Sequence, residues 1–145
     1  MAQQKKYGKY IVDAPIMQSV MFPQITAPQI NVFGGEHLGG IQFTMNWSYL
    51  TEPFVMVDSS HSHEFDQVIC FIGGNPLNIR EFGGEVEFYF GEEKEKHIIT
   101  SPSYICVPRG LIHGPLIVKS IKKPIVYMDF PLTARYLKKN ASEKK

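Results

Sequence analysis

Three histidines and one glutamine are the residues of this chain whose types and spacing could do chemistry. His61, His63 and Gln67 fall within seven residues of one another, and His113 follows the turn-forming sequence Pro-Arg-Gly at 108–110. Residues two and four apart on a strand point to the same side, so we expect His61, His63 and Gln67 to share one face. Three neutral imidazoles and an amide oxygen suit a divalent transition metal. Since His-x-His alone has little specificity, the alternative is that these are ordinary surface or hydrogen-bonded histidines.

The spacing resembles the two sequence motifs of the cupin superfamily. His61-x-His63-x3-Gln67-x6-Gly74 is similar to the first motif, with Gln where Glu is usual, and Pro108-x-Gly110-x2-His113 is similar to the core of the second. The resemblance covers residues 41–130 and implies an all-β fold, an antiparallel double-stranded β-helix (cupin or jelly-roll barrel) with little helix, in which His61, His63, Gln67 and His113 bind one metal.

The resemblance is incomplete at turns and does not fix a reaction. Val55, Pro102 and Ile117 stand where the family usually has Gly, Gly and Asn. The family includes dioxygenases, isomerases, lyases, decarboxylases, storage proteins and sugar-binding regulators, so the activity has to be argued from the site.

Gln67 changes the expected charge of the site. With four neutral ligands a divalent ion keeps its full charge, which favours anionic ligands and lowers the pKa of bound water. The alternative is that Gln67 is not a ligand and orients a water or substrate through its amide. Asp66 faces away on an unbroken strand, whereas a β-bulge after His63 would turn it inward and supply a carboxylate.

If catalysis needs an acid or base near the metal, Tyr49, Tyr127 and Asp129 are candidates. The sequence does not determine which of them face the interior. Aromatic strand residues are more often part of the core than catalytic, and Asp129 could equally be a solvated strand residue.

Hydrophobic alternation predicts a chain of short strands. Residues 41–49 alternate between Ile, Phe, Met, Trp and Tyr on one side and polar residues on the other, residues 61–69 form the proposed ligand strand, and 84–91 alternate as well. Met45, Met56 and Met128 are interpreted as core. We predict an extended N-terminal arm at 1–30, one barrel at 31–131 and a C-terminal tail at 132–145, with a possible helical turn at 132–137 and fraying from 138 onward.

Composition restricts the classes of function. The 145 residues carry a net charge of +1, which gives no electrostatic bias toward nucleic acid. No run of 18 apolar residues predicts a membrane helix, and the N-terminus lacks the pattern of a secretory signal. Two cysteines do not form a disulfide framework, so Cys70 and Cys106 are expected to stay reduced in the cytoplasm.

Two hypotheses of function follow. The first is a mononuclear metal-dependent enzyme acting on a small organic anion, a dioxygenase-type oxidoreductase by preference and an isomerase or lyase otherwise, with iron favoured over manganese, nickel, zinc or copper. The second is a non-catalytic cupin that binds a metal or small ligand. A homodimer is expected in either case, because apolar strand faces and edges of small barrels are commonly covered by pairing.

Overall fold

The computed structural model describes residues 5–135 and 139–140, and these residues form two antiparallel sheets. The helices described are α1 (Gly34–His37) and a 3-10 turn at Gly8–Tyr10. The strands are β1 (Ile16–Met17), β2 (Gln29–Phe33), β3 (Thr44–Leu50), β4 (Phe54–Val57), β5 (His61–Ser62), β6 (Gln67–Gly73), β7 (Gly84–Phe90), β8 (Glu95–Ile99), β9 (Ser103–Val107), β10 (His113–Ile121), β11 (Ile125–Pro131) and β12 (Lys139–Asn140).

The strand order confirms the predicted double-stranded β-helix. The first sheet runs β1-β2-β3-β11-β6-β9, and the second runs β12-β5-β10-β7-β8, with β4 also paired to β10. From β6 onward the chain alternates between the sheets: β7 and β8 lie in the second, β9 in the first, β10 in the second and β11 in the first. Consecutive strands therefore wrap around a shared interior.

The hydrophobic core fills the space between the two sheets. Phe71 and Ile125 contribute from the first sheet, while Val86, Phe88 and Val118 contribute from the second, and each is at most 1% exposed. The alternation at 84–91 correctly predicted which residues of β7 point inward. Burial of each such side chain stabilises the fold by about 1.5–3 kcal/mol.

β3 presents its polar side to the interior, and the interpretation of Met45 and Met128 as core residues was wrong. Thr44, Ser48 and Leu50 are buried, whereas Met45 is half-buried on the outer side of the sheet and Tyr49 is 37% exposed. The apolar side of this strand is the outer one because the polar side of β3 lines a cavity, described below. Met56, in contrast, is buried as expected.

The prediction of one continuous ligand strand over 61–69 was also wrong. β5 belongs to the second sheet and β6 to the first, and residues 63–66 carry the chain from one sheet to the other. The period-two argument assumed an unbroken strand. The residues still meet because the crossover runs along the edge of the interior.

The C-terminal segment also differs from the prediction. Residues 132–135 form bends with no helical turn, and Tyr136 and Leu137 lie outside the described residues. Lys139 and Asn140 pair with Ser62 and His61 as β12, so this part of the expected frayed tail is a strand. No helix in the described ranges is long and apolar enough to cross a membrane.

Candidate metal centre and adjoining cavity

Three imidazoles converge in the interior where β5 and β10 pair. His61 is the direct partner of His113 in this ladder, and their ring centroids are 4.3 Å apart. The ring of His63 lies 4.8 Å from that of His61 and 5.0 Å from that of His113. One nitrogen from each ring falls within 4.8 Å of the other two, and all three residues are buried. The structure thus brings together the three histidines that the sequence pattern singled out.

The turn at 108–110 braces the crossover that carries His63. The amide of Gly110 donates to the carbonyl of His63 at 2.9 Å. Arg109 donates from its backbone amide to Asp66 Oδ1 at 2.8 Å and from Nε to the carbonyl of Glu64 at 2.6 Å. Asp66 is therefore an exposed turn acceptor and does not enter the site, as the unbroken-strand argument expected. These hydrogen bonds give Arg109 a structural role.

Gly114 allows the backbone next to His113 to approach β5. Its φ is +98°, and a Cβ built on it would lie 2.6 Å from the carbonyl oxygen of Ser59. A left-handed conformation and a backbone contact of this kind both require glycine. The close approach keeps His113 beside His61.

The environment of His113 favours a neutral ring. Burial lowers the pKa of His113, an effect partly opposed by the hydrogen bond from its Nδ1 to the carbonyl of Leu111 at 2.9 Å. Donation from Nδ1 selects the tautomer in which Nε2 carries the lone pair. His61 Nδ1 similarly lies 3.4 Å from the carbonyl of Ser59. Carbonyl partners of this kind orient histidine ligands in metal sites.

The two polar atoms of the Gln67 amide differ: the nitrogen is hydrogen-bonded and the oxygen is not. Its Nε2 donates to Asp129 Oδ1 at 2.6 Å, which fixes the orientation of the amide. Its Oε1 is buried and accepts no hydrogen bond from any residue in the described part of the chain. A buried acceptor without a donor is costly, and a cation is one group that would satisfy it. The donor set of three neutral imidazoles and one amide oxygen fits a transition metal.

Asp129 is the titratable group next to this cluster. Burial raises its pKa to about 6, although hydrogen bonds with Gln67 and Tyr127 act in the opposite direction. Asp129 and Tyr127 both line a cavity of about 710 Å³, described in the next paragraph, whereas Tyr49 lies on the outer face of the first sheet. Of the three acid–base candidates named from the sequence, two therefore reach the interior.

A cavity of about 710 Å³ is lined in part by Asp129, which accepts a hydrogen bond from Gln67, whereas none of the three histidines is among its lining residues. One wall is the polar side of the first sheet, where the hydrogen bonds form a chain. Gln29 Nε2 donates to Ser48 Oγ at 2.7 Å, Ser48 Oγ donates to Asn46 Oδ1 at 2.7 Å, and Asn46 Nδ2 donates to Asn31 Oδ1.

Sequence reasoning assigned no function to this polar wall, although one signal pointed to it. The polar residues that alternate through β3 are Thr44, Asn46 and Ser48, and none of them carries a charge. A solvated strand face usually includes Lys or Glu. An uncharged polar face beside an apolar one therefore indicated a hydrogen-bonded interior surface.

Comparison with known proteins identifies the fold. No protein-family model matches the sequence, and no curated protein matches it significantly. Among solved structures, oxalate oxidase in complex with the substrate analogue glycolate is 13% identical with a TM-score of 0.56, over 85% of this chain and 58% of that one. The polyketide cyclase RemF from Streptomyces resistomycificus is 14% identical with a TM-score of 0.56, over 96% and 86% of the two chains. These are cupin-fold proteins. The chain has the cupin fold.

A third solved structure extends the comparison to a manganese protein. Oxalate decarboxylase of Bacillus subtilis, in a structure that concerns its Mn(II) centres, is 12% identical with a TM-score of 0.52, over 79% of this chain and 28% of that chain. This chain spans 58% of the matched oxalate oxidase and 28% of the decarboxylase. At these identities the likeness concerns the fold.

Proposed function

We propose that this cupin is a mononuclear metal-dependent enzyme in which His61, His63, His113 and the amide oxygen of Gln67 hold one divalent transition metal. The observation that carries the proposal is the convergence of three buried imidazoles. The buried Oε1 of Gln67, which accepts no hydrogen bond from the described residues, supports this amide as a fourth ligand. A structural role alone would not require three buried histidines to place one nitrogen each within 4.8 Å of the others. A bound metal would supply Lewis acidity and, for a redox-active ion, electron transfer.

The reaction favoured is dioxygenase-type oxidation of a small organic substrate that offers an enol, phenol or carboxylate oxygen. Iron is the first candidate metal, and the Mn(II) centres of the decarboxylase with the same fold support manganese as the next. Nickel, zinc and copper also accept this donor set.

A second candidate, metal-dependent isomerisation or elimination, is favoured by one observation. Such chemistry needs a proton-transfer group close to the metal. Asp129 lines the cavity and bonds Gln67, so a carboxyl group stands between the proposed metal ligands and the space for a substrate. Tyr127 lines the same cavity.

The first test is the metal content of protein purified without chelator, measured by elemental mass spectrometry. We expect about one equivalent of a transition metal in the wild type and a loss of at least tenfold in the double variant His61→Ala/His113→Ala. His97→Ala is the matched control because His97 is an exposed histidine that contacts Glu95. Absence of metal before and after reconstitution would reject the metalloenzyme and leave a cupin that binds other ligands.

The second test separates the two reactions. Metal-loaded protein would be incubated with a panel of enols and phenols, with and without dioxygen, while dioxygen uptake is recorded at an electrode. Dioxygen uptake that accompanies substrate loss supports the dioxygenase-type oxidation. Substrate conversion that proceeds equally well without dioxygen supports the isomerase or lyase.

A further inference from the structure

The charge of the 710 Å³ cavity restricts what it can bind. No lysine, arginine or histidine is among its lining residues in the described ranges, and Asp58 and Asp129 are the carboxyl groups there. An anionic group held away from the metal would therefore meet carboxyl groups and no cation. Small multiply charged anions are poorly matched to this surface.

The polar wall of the cavity offers neutral hydrogen bonds. Asn31 Oδ1 is used by Asn46, which leaves the Asn31 amide nitrogen to donate. Gln29 uses its nitrogen toward Ser48, which leaves its oxygen to accept. A hydroxyl group can both donate and accept, so it matches a wall of this kind.

The rest of the cavity lining is mostly apolar. Met17 of β1 lies beside Gln29 in the same sheet, Val20 and Phe22 come from the segment between β1 and β2, and Met56 comes from β4. A ligand in this cavity needs hydroxyl groups toward the amides and an apolar body, and the volume lies in the range of sites for drug-sized molecules.

We infer that this cavity binds a neutral, hydroxyl-bearing molecule with a flat apolar body, and that it discriminates against carboxylates. The inference deepens the proposed function. It rests on that function for the substrate oxygen that binds the metal, but the cavity walls can bind their ligand without a metal. The sequence predicted a small organic anion as the substrate. The cavity restricts this prediction, because negative charge is accommodated only on the substrate oxygen that would bind the metal.

The experiment compares two probes of the same ring size by isothermal titration calorimetry. 2,7-Dihydroxynaphthalene is the neutral hydroxylated probe, and 2-naphthoate is the carboxylate. Both are titrated into full-length wild-type protein freed of metal by chelator and into His61→Ala/His113→Ala. We expect the diol to bind both proteins at least tenfold more tightly than naphthoate does. Asn31→Leu should weaken the diol at least tenfold, whereas Asn78→Leu, a change of an exposed loop asparagine, should leave it unchanged.

Two kinds of outcome would contradict the inference. Naphthoate that binds as tightly as the diol would show that charge does not decide selection. No diol binding to the wild type, or binding only after metal is added, would mean that the cavity wall is not the recognition surface. The comparison of probes in the wild type stands even if Asn31→Leu does not fold. Diol binding by a protein that takes up no metal would reject the proposed metalloenzyme and retain the inference about the cavity.

Discussion

At the scale of single residues, the contact between Gln67 and Asp129 explains why an amide suits this site. Asp129 accepts from Gln67 Nε2 at 2.6 Å, so position 67 must donate toward β11, while its buried Oε1 stays available as an acceptor. An amide has both groups, whereas an ionised carboxylate only accepts. The cupin motif usually has a carboxylate at position 67 itself. Here the carboxylate belongs to Asp129, which is hydrogen-bonded to position 67.

This pairing predicts that Gln67→Glu destabilises the metal-free protein. Two carboxyl groups would face each other at the same short distance, with loss of a charge-assisted hydrogen bond. We expect the free energy of unfolding at pH 8 to fall by about 2 kcal/mol. Chemical denaturation followed by circular dichroism measures the change.

The compensating variant tests the cause. Gln67→Glu/Asp129→Asn restores one donor and one acceptor with their positions exchanged, and it should recover most of the lost stability. Equal stability of Gln67→Glu and wild type would show that the Gln67–Asp129 bond contributes nothing.

The candidate site could be predicted from the sequence only where its residues have distinctive chemistry. His61, His63 and His113 were identified because their spacing, with Gln67, Pro108 and Gly110, is similar to the two cupin motifs. Asp129 was named only as one of three acid–base candidates and Asn31 was not named, since a carboxylate or amide on a strand has many ordinary uses. Their role depends on which side of the strand faces inward, and that is decided by tertiary packing.

At the scale of elements, the turn at 108–110 and the crossover at 63–66 hold the histidines of the two motifs in place. Asp66 joins them by accepting the Arg109 amide and also receives the Leu132 amide at its own carbonyl. We expect Asp66→Ala to lower the free energy of unfolding by about 1 kcal/mol. It should also weaken metal binding about tenfold, because displacement of groups that orient ligands typically has this effect. Competition with a chromogenic chelator measures the affinity.

Glu52→Ala is the control for this prediction. Glu52 is an exposed carboxylate in the connection between β3 and β4, away in sequence from both braced segments. Unchanged metal affinity in Asp66→Ala would show that the crossover keeps its conformation without the brace.

Gly114→Ala should damage the pairing of β5 with β10. The substitution adds the cost of a left-handed φ, about 1–2 kcal/mol, to a contact with Ser59 that only backbone movement can relieve. Gly39→Ala is a matched control: its φ is +69°, and no atom lies within 4 Å of the added Cβ. We expect thermal melts to show a small loss for Gly39→Ala and a loss at least twice as large for Gly114→Ala, which should also lose metal. Similar losses in the two variants would contradict the proposed close approach.

The strands could be predicted because hydrophobic alternation is a local property. β4 and the buried face of β7 follow directly from it. β3 shows the limit: alternation separates two faces but does not say which one is inside, and here the polar face is inside because a ligand-sized space needs hydrogen-bonding groups. The change of sheet at 63–66 was missed for a related reason, since sheet membership is set by pairing with strands far away in the sequence.

At the scale of the whole molecule, the outer face of the first sheet is apolar across five strands. Its central row runs through Ile30, Trp47, Met128, Cys70 and Tyr104, which are direct partners in the ladders. The neighbouring rows bring together Val32 with Met45, Tyr49 with Val126 and Ile72, and Phe130 with Val68 and Cys106. None of these residues carries a charge. Contiguous apolar surfaces of this kind mark interaction sites.

A second copy of the chain is the partner we propose for this face, in line with the homodimer expected from the sequence. Five strands about 4.8 Å apart, with three rows of side chains about 7 Å apart along them, give about 500 Å² of flat surface per copy. Standard interfaces bury about 800 Å² per partner, so exposed side chains of the arm such as Ile11 and Ile16 would have to contribute as well.

The dimer predicts a specific response to charge. Size-exclusion chromatography with light scattering should give the wild type a mass near twice 16.5 kDa, while Tyr104→Glu should give a monomer because a carboxylate at the β9 end of the central row has no cation among the residues of this face to pair with. Tyr104 is 73% exposed, so the substitution is tolerated by the monomer fold, which circular dichroism would verify. Leu77→Glu places the same charge on a residue that is 93% exposed in the loop after β6 and should remain dimeric. A monomeric wild type, or a dimer that survives Tyr104→Glu, would mean that the apolar face has another partner or none.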